Sequence, residues 1–198
     1  MEYHDLSRVG AFSDGVMAVA ITLLVLNVET PDVAKEDLGD ALVDLLPSLG
    51  AYVLSFALIG RYWFLHHRLF ATLTRVDSRL IVLNLVFLML IALMPFATSL
   101  ADVYSTAPLA AATFAAALGL AAFVLWTMTI HARRAGLVHE RALAAAKPLD
   151  TTIGLGIAIV FFFSVPVAFL SVTAAWLMWT SVVVLRYPLR TIARGVSR

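Results

Sequence analysis

Long apolar runs separated by short polar linkers dominate this chain. Runs over 9–28, 47–67, 80–101, 108–130 and 150–170 each approach the roughly 20 residues that a helix needs to cross a bilayer. A sixth run, 172–187, is shorter and follows almost without a break. No charged residue occurs from Ile153 to Leu185, which is too long for one crossing. Pro166, Ser171 and Thr173 mark where that stretch is expected to turn. The pattern predicts an all-α membrane protein of six transmembrane helices, one domain over 1–198. The linkers are short enough to be helix connections and leave no room for a soluble domain. The opening "MEYHDLSR" carries Glu2 and Asp5 and no basic region. No small-residue cleavage site follows the first run, so it reads as a retained helix and not a signal peptide.

Charge orients the helices. The segment 29–44 holds Glu29, Asp32, Glu36, Asp37, Asp40 and Asp44 against Lys35. The 68–79 linker is basic through Arg68, Arg75 and Arg79. The 101–107 linker carries only Asp102. The 131–150 linker carries Arg133, Arg134, Arg141 and Lys147, and the tail carries Arg186, Arg190, Arg194 and Arg198. Basic linkers thus alternate with acidic or neutral ones, as the positive-inside rule requires. With both termini cytoplasmic, every Lys and Arg except Lys35 and Arg61 falls on the inner side. The chain is 62% hydrophobic and 14% charged, far from the half-apolar, quarter-charged balance of soluble domains. Its net charge of +1 gives no basic field for nucleic acid. The absence of cysteine removes disulfides, thiolate catalysis and cysteine metal sites.

Ionisable groups inside a bilayer are costly and mark structure or function. Arg8, Ser13 and Asp14 lie at the inner end of helix 1, Arg61 lies inside helix 2, and "HHRLF" at 66–70 closes helix 2. At about 1.5 Å per residue, Asp14 sits roughly 8 Å in from Val9 and Arg61 roughly 9 Å from His67. These similar depths allow Asp14 to pair with Arg61, or with His66 or His67, which would offset the burial cost. The blandest role for such a pair is a staple between helices; ion entry and proton relay are the functional alternatives. Adjacent histidines point about 100° apart on a helix and lack the i, i+4 metal spacing, so no metal site is expected. Trp63, Trp126, Trp176 and Trp179 read as packing or interfacial residues. "TIGLG" at 152–156 imitates the carbonyl filter "TVGYG", but it follows the basic "AAAKPLD" linker and begins a helix on the inner side. Gly154 and Ala158 there fit a close helix contact. No GxSxG, HExxH or P-loop appears, so the chain does not read as an enzyme.

The motif "RVGAFSD" fits R-x-x-x-F-S-D on the first helix, and "WFLHHRLF" closes the second. Together they resemble the lysosomal and prokaryotic potassium channels of the transmembrane protein 175 family, in particular its single-repeat prokaryotic members. The likeness covers the six-helix plan, while its motifs lie in helices 1 and 2. It implies a potassium-permeable cation channel in the plasma membrane, without a TVGYG-type filter or a cofactor. It implies a homotetramer around helix 1, so the partners are other copies of the chain, the lipid bilayer and permeant potassium or other monovalent cations. By register from Asp14, the lining and constriction positions are Val19, Thr22, Leu23 and Leu26. Their spacing keeps them on one helix face. Arg8, Phe12, Ser13, Asp14, Trp63, His66 and His67 are implied as the network that holds helix 1. Two rivals remain. A secondary transporter needs broken helices or internal repeats at mid-membrane; no repeat is evident, and Pro95 and Pro166 are expected near helix ends. A non-conducting membrane scaffold needs no feature of its own.

Overall fold

The computed structural model describes residues 3–145 and 148–184, and helices account for most of them. α1 (Leu6–Leu23) starts at Asp5, whose carboxylate accepts from the Ser7 hydroxyl and the Ser7 N–H. Those two bonds, hydroxyl first, hold the Asp5 carboxyl below its usual range. The helix tightens into a 3-10 turn over Leu24–Asn27. A short α2 (Leu38–Asp44) leads into α3 (Leu46–Ala71), which has Pro47 in its first turn, where a missing N–H breaks no bond. α4 (Ser78–Ala92) is capped by Asp77, which accepts from the Leu80 N–H at 2.8 Å. α5 (Met94–Val103) follows after Leu93. α6 (Pro108–Arg134) ends where Gly136 takes a φ of 65° and the Leu137 N–H returns to the Ala132 carbonyl at 2.9 Å, a Schellman closure. A short α7 (Glu140–Ala145), α8 (Pro148–Leu170) and α9 (Val172–Val184) complete the described chain.

Among the described residues, five apolar stretches are long enough to cross a membrane: Leu6–Asn27, Leu46–Ala71, Ser78–Val103, Pro108–Arg134 and Thr152–Leu170. Val172–Val183 is a shorter apolar helix. The expected turn near Pro166 and Ser171 is present. The Trp179 indole N–H donates to the Ser164 hydroxyl at 2.8 Å, so α9 doubles back on α8 about Ser171. Residues 185–187 of the predicted sixth helix, the basic tail and Lys147 lie outside the described residues. Pro95 lies in the first turn of α5, near a helix end as expected, although that end falls inside a membrane-length stretch. It divides this third apolar stretch into α4 and α5, because it has no N–H to continue the ladder toward Ile91.

α6 is the core of the fold. Its alanines and Gly119 bring α8 close enough that a Cβ at Gly119 would stand 2.9 Å from the Phe162 ring and 3.3 Å from the Phe161 Cβ. Gly154 meets Trp126 across the same seam, where a Cβ would lie 3.1 Å from the Trp126 Cβ. The "TIGLG" stretch is therefore helix, close-packed on α6. At the basic end three segments are stitched together. Tyr3 and His4 form β1 and pair antiparallel with β2 (Val76–Asp77). The Thr74 N–H donates to the Leu137 carbonyl at 2.8 Å, and the His139 N–H donates to the Thr72 carbonyl at 2.9 Å. His131 Nε2 lies 2.9 and 3.1 Å from the two Asp77 oxygens. Burial alone would raise the Asp77 carboxyl, but the Leu80 N–H and His131 outweigh it and hold the group below its usual range.

Candidate functional site

Helix α1 divides cleanly into two faces. Ser13, Met17, Ala20 and Leu24 are buried, at spacings of four, three and four residues, which is one helical stripe. The opposite stripe is open: Phe12, Val19, Thr22, Leu23 and Leu26 are exposed, with Val19 at 57% and Leu26 at 72%. In a soluble domain such an apolar stripe would be anomalous. In a membrane chain it faces lipid, another copy or a conduction path. The Thr22 hydroxyl donates to the Ala18 and Val19 carbonyls at 3.1 and 2.9 Å. Its proton is thereby engaged within the helix, and its oxygen lone pairs are what it presents outward.

The buried stripe is anchored by a directed chain of hydrogen bonds. His66 Nε2 donates to Asn84 Oδ1 at 2.8 Å, Asn84 Nδ2 donates to the Ser13 hydroxyl at 2.9 Å, and that hydroxyl donates to the Val9 carbonyl at 2.8 Å. Each donor meets one acceptor, which assigns the Nε2–H tautomer to His66. Phe70 and Phe87 stack on the His66 ring at 4.2 and 5.4 Å, so the imidazole is held by shape as well. The network thus joins α1, α3 and α4. Asn84 was absent from the sequence expectation. Its signal is the lone amide within the 80–101 apolar run.

Asp14 meets Trp63, a member of the network that the family resemblance implies, and not Arg61, His66 or His67, which charge alone suggests. Its Oδ1 accepts from the Trp63 indole N–H at 2.9 Å, and Trp63 in turn stacks on His67 at 5.4 Å. Arg61 is two residues from Trp63, about 200° round α3, and so turns away from Asp14. It is half-buried, and its Nε finds no hydrogen-bond partner among the described residues. An indole serves Asp14 because its N–H gives a charge-assisted bond without burying a second charge. Of the other expected network members, Phe12 and Arg8 are exposed, and Arg8 lies beside Asp5 outside the hydrogen-bond chain. Beyond this site, the Asn27 amide at the far end of the 3-10 turn donates to the Pro95 carbonyl at 2.9 Å. Ser13 meets Asn84 and Asn27 meets Pro95, so α1 runs alongside α4 and α5 in the same direction. Among the described residues no three His, Cys, Asp or Glu side chains gather as metal ligands.

These features define an all-helical, multi-span membrane protein whose first helix is tethered by a few polar bonds on one face and bare on the other. The family profile described as "Endosomal/lysosomal potassium channel TMEM175" matches residues 8–95. The chain is 36% identical over 155 residues to a protein named Potassium channel B446_29190 of Streptomyces collinus, covering 76% of this chain and 75% of that one. It is also 36% identical over 110 residues to the human Endosomal/lysosomal proton channel TMEM175, covering 51% of this chain and 22% of that longer protein. Its structure matches the crystal structure of a lysosomal potassium-selective channel TMEM175 homolog from Chamaesiphon minutus, with a TM-score of 0.76 and 29% identity over 91% of this chain and 95% of that one. The chain belongs to the TMEM175 family, as a single-repeat prokaryotic member. That family is one of ion channels and not a class of enzymes.

Proposed function

We propose that this chain is a potassium-permeable channel formed by four copies around α1, a single six-helix domain per copy with both termini in the cytoplasm of a cell whose plasma membrane holds it. The observation that carries the reading is the division of α1, in a family of channels, into a buried stripe through Met17, Ala20 and Leu24 and an open one through Val19, Thr22, Leu23 and Leu26. Four apolar side chains at one level resist wetting, so Val19, Leu23 and Leu26 form the constriction, and cations pass it partly hydrated. Thr22 supplies a ring of hydroxyl oxygens whose protons are already engaged within the helix. Ser13, Asp14, Trp63, His66 and His67 set the position of α1 within the chain, while Arg8 and Phe12, exposed on α1, are left to meet lipid or a neighbouring copy. The basic end, with Arg75, Arg79, Arg133 and Arg134, faces the cytoplasm by the positive-inside rule.

Unitary currents from purified protein in planar bilayers test this. Leu23→Asn or Leu26→Asn is expected to raise conductance or produce constitutive leak, and to weaken potassium preference. A volume-conserving change on the buried stripe, Leu24→Met, is expected to leave conduction nearly unchanged. Equal responses on both faces, or none, overturn the reading. A secondary transporter is the second reading, favoured by one observation: Pro95 interrupts the third span within the membrane. It predicts small coupled flux without unitary steps, where a scaffold predicts neither.

A further inference from the structure

The outer end of α1 is not α-helical. The Leu24 N–H bonds back to the Ile21 carbonyl, three residues earlier, and the Val28 N–H likewise to the Val25 carbonyl at 3.1 Å. A 3-10 turn advances about 120° per residue against about 100° in an α-helix, and rises about 2.0 Å against about 1.5 Å. By Leu26, three steps past Leu23, the side chain is turned about 60° from its α-helical direction and lies about 1.5 Å further out. Residues three apart eclipse in such a turn. Leu26 therefore stands over Leu23, whereas α-helical winding would set it between the lines of Val19 and Thr22.

The winding has a visible tether. Asn27, the last residue of the 3-10 turn, donates to the Pro95 carbonyl at 2.9 Å. That carbonyl sits just past the α4–α5 junction, where the absent Pro95 N–H has already opened the helix ladder. A tightened turn and a broken span thus meet at one bond. On the proposal that α1 lines the conduction path, we infer that Asn27 is a positioning residue. Its hydrogen bond to Pro95 holds the outer turn of α1 in its 3-10 winding and so sets the rotation of the Leu26 ring. Release of the bond allows the turn to rewind toward α-helix, which swings four Leu26 side chains together and changes the width and wetting of the outer constriction. The inner end stays fixed by Ser13–Asn84 and Asp14–Trp63, so the movement is confined to the last turn.

Single-channel recording of three variants in planar bilayers, each with its assembly checked by size-exclusion chromatography, tests the inference. Asn27→Ala is expected to assemble as the parent does and to change open probability or unitary conductance by about three-fold or more, with a shift in the potassium-to-sodium reversal potential. Asn27→Gln, which keeps an amide donor on a longer arm, is expected to fall between. Asn27→Asp is expected to behave like Asn27→Ala while its carboxylate is ionised, and to recover toward the parent when acid returns a proton that can donate to Pro95. Parent-like currents from Asn27→Ala overturn the inference. So does failure of Asn27→Ala to assemble, since that would make Asn27 part of the foundation and not an adjustable joint. Leu26→Asn recorded in parallel separates the two ideas. A response there with none at Asn27 sinks only the tether, while silence at Leu26 sinks the pore assignment beneath it.

Discussion

Helices α1 and α6 are equally apolar, yet 22% of the most apolar window of the first is buried in the chain against 61% of the second. α6 achieves its burial with alanine and glycine, which let α8 approach until Gly119 touches Phe162. It is held by shape. α1 has little such contact, and polar bonds fasten it instead: Ser13 to Asn84, Asp14 to Trp63, Asn27 to Pro95. Hydropathy identifies both as membrane helices and distinguishes neither role. The difference lies in how each is secured. A close-packed seam has one geometry, whereas a helix hung on single hydrogen bonds can turn about them.

The contrast predicts a graded response to substitution. Gly119→Leu strikes the seam, where even a Cβ has no room, and overpacking of this kind is expected to cost about 3 kcal/mol or more. Thermal unfolding in detergent is expected to show little folded protein; a normal melt would mean that α8 can step back and that α6 is no rigid core. Asn84→Leu comes next. It removes both bonds of one amide and leaves the buried His66 and Ser13 without it, a loss of about 2–3 kcal/mol. Folded protein is expected to be recoverable but with altered currents, since α1 loses its inner anchor.

Asp14→Ala is expected to cost only about 1 kcal/mol, because it breaks one exposed hydrogen bond and not a buried ion pair. Trp63→Phe is expected to cost about the same. A double-mutant cycle is expected to show the two losses overlapping, and simple additivity would deny the bond any energetic role. The smallest effect at neutral pH belongs to Asp77→Asn at the end that α1 and α6 share. The Asp77 carboxyl is held below its ordinary 3.8. Its contribution is therefore complete above about pH 4 and is lost as pH falls through the lower folded value. The parent is expected to lose stability on that acid side, measured as melting temperature against pH. Asp77→Asn is expected to flatten that fall.

The spans were legible because about 20 apolar residues announce a crossing whatever lies beside them. The turn at Ser171 was legible from a run too long for one crossing with Pro166 near its middle. The partners inside the membrane were less so. In lipid both faces of a helix are apolar, so the rotation that decides which polar groups meet leaves little trace in the pattern. Charge alone pointed Asp14 toward Arg61 or a histidine; the indole of Trp63 answers it because it carries an N–H without a charge. Asn84 and Asn27 escaped notice for the same reason, each a lone amide whose meaning depends on what stands opposite. The two-residue strands β1 and β2 are too short for any alternation to reveal.

Those strands carry one more consequence, for the order in which the molecule can be made. β1 precedes α1, but Val76–Asp77 emerge only after the second span, His131 only in the last turn of the fourth, and His139 after it. A growing chain therefore inserts α1 long before its floor exists. The first helix must wait in the bilayer, Asp14 without Trp63 and Ser13 without Asn84, until the later spans arrive to receive it. The piece assigned to conduct is thus made before its partners and secured late, so a chain cut short in the fourth span would leave Asp77, and with it the β2 segment that holds β1, without its bond to His131.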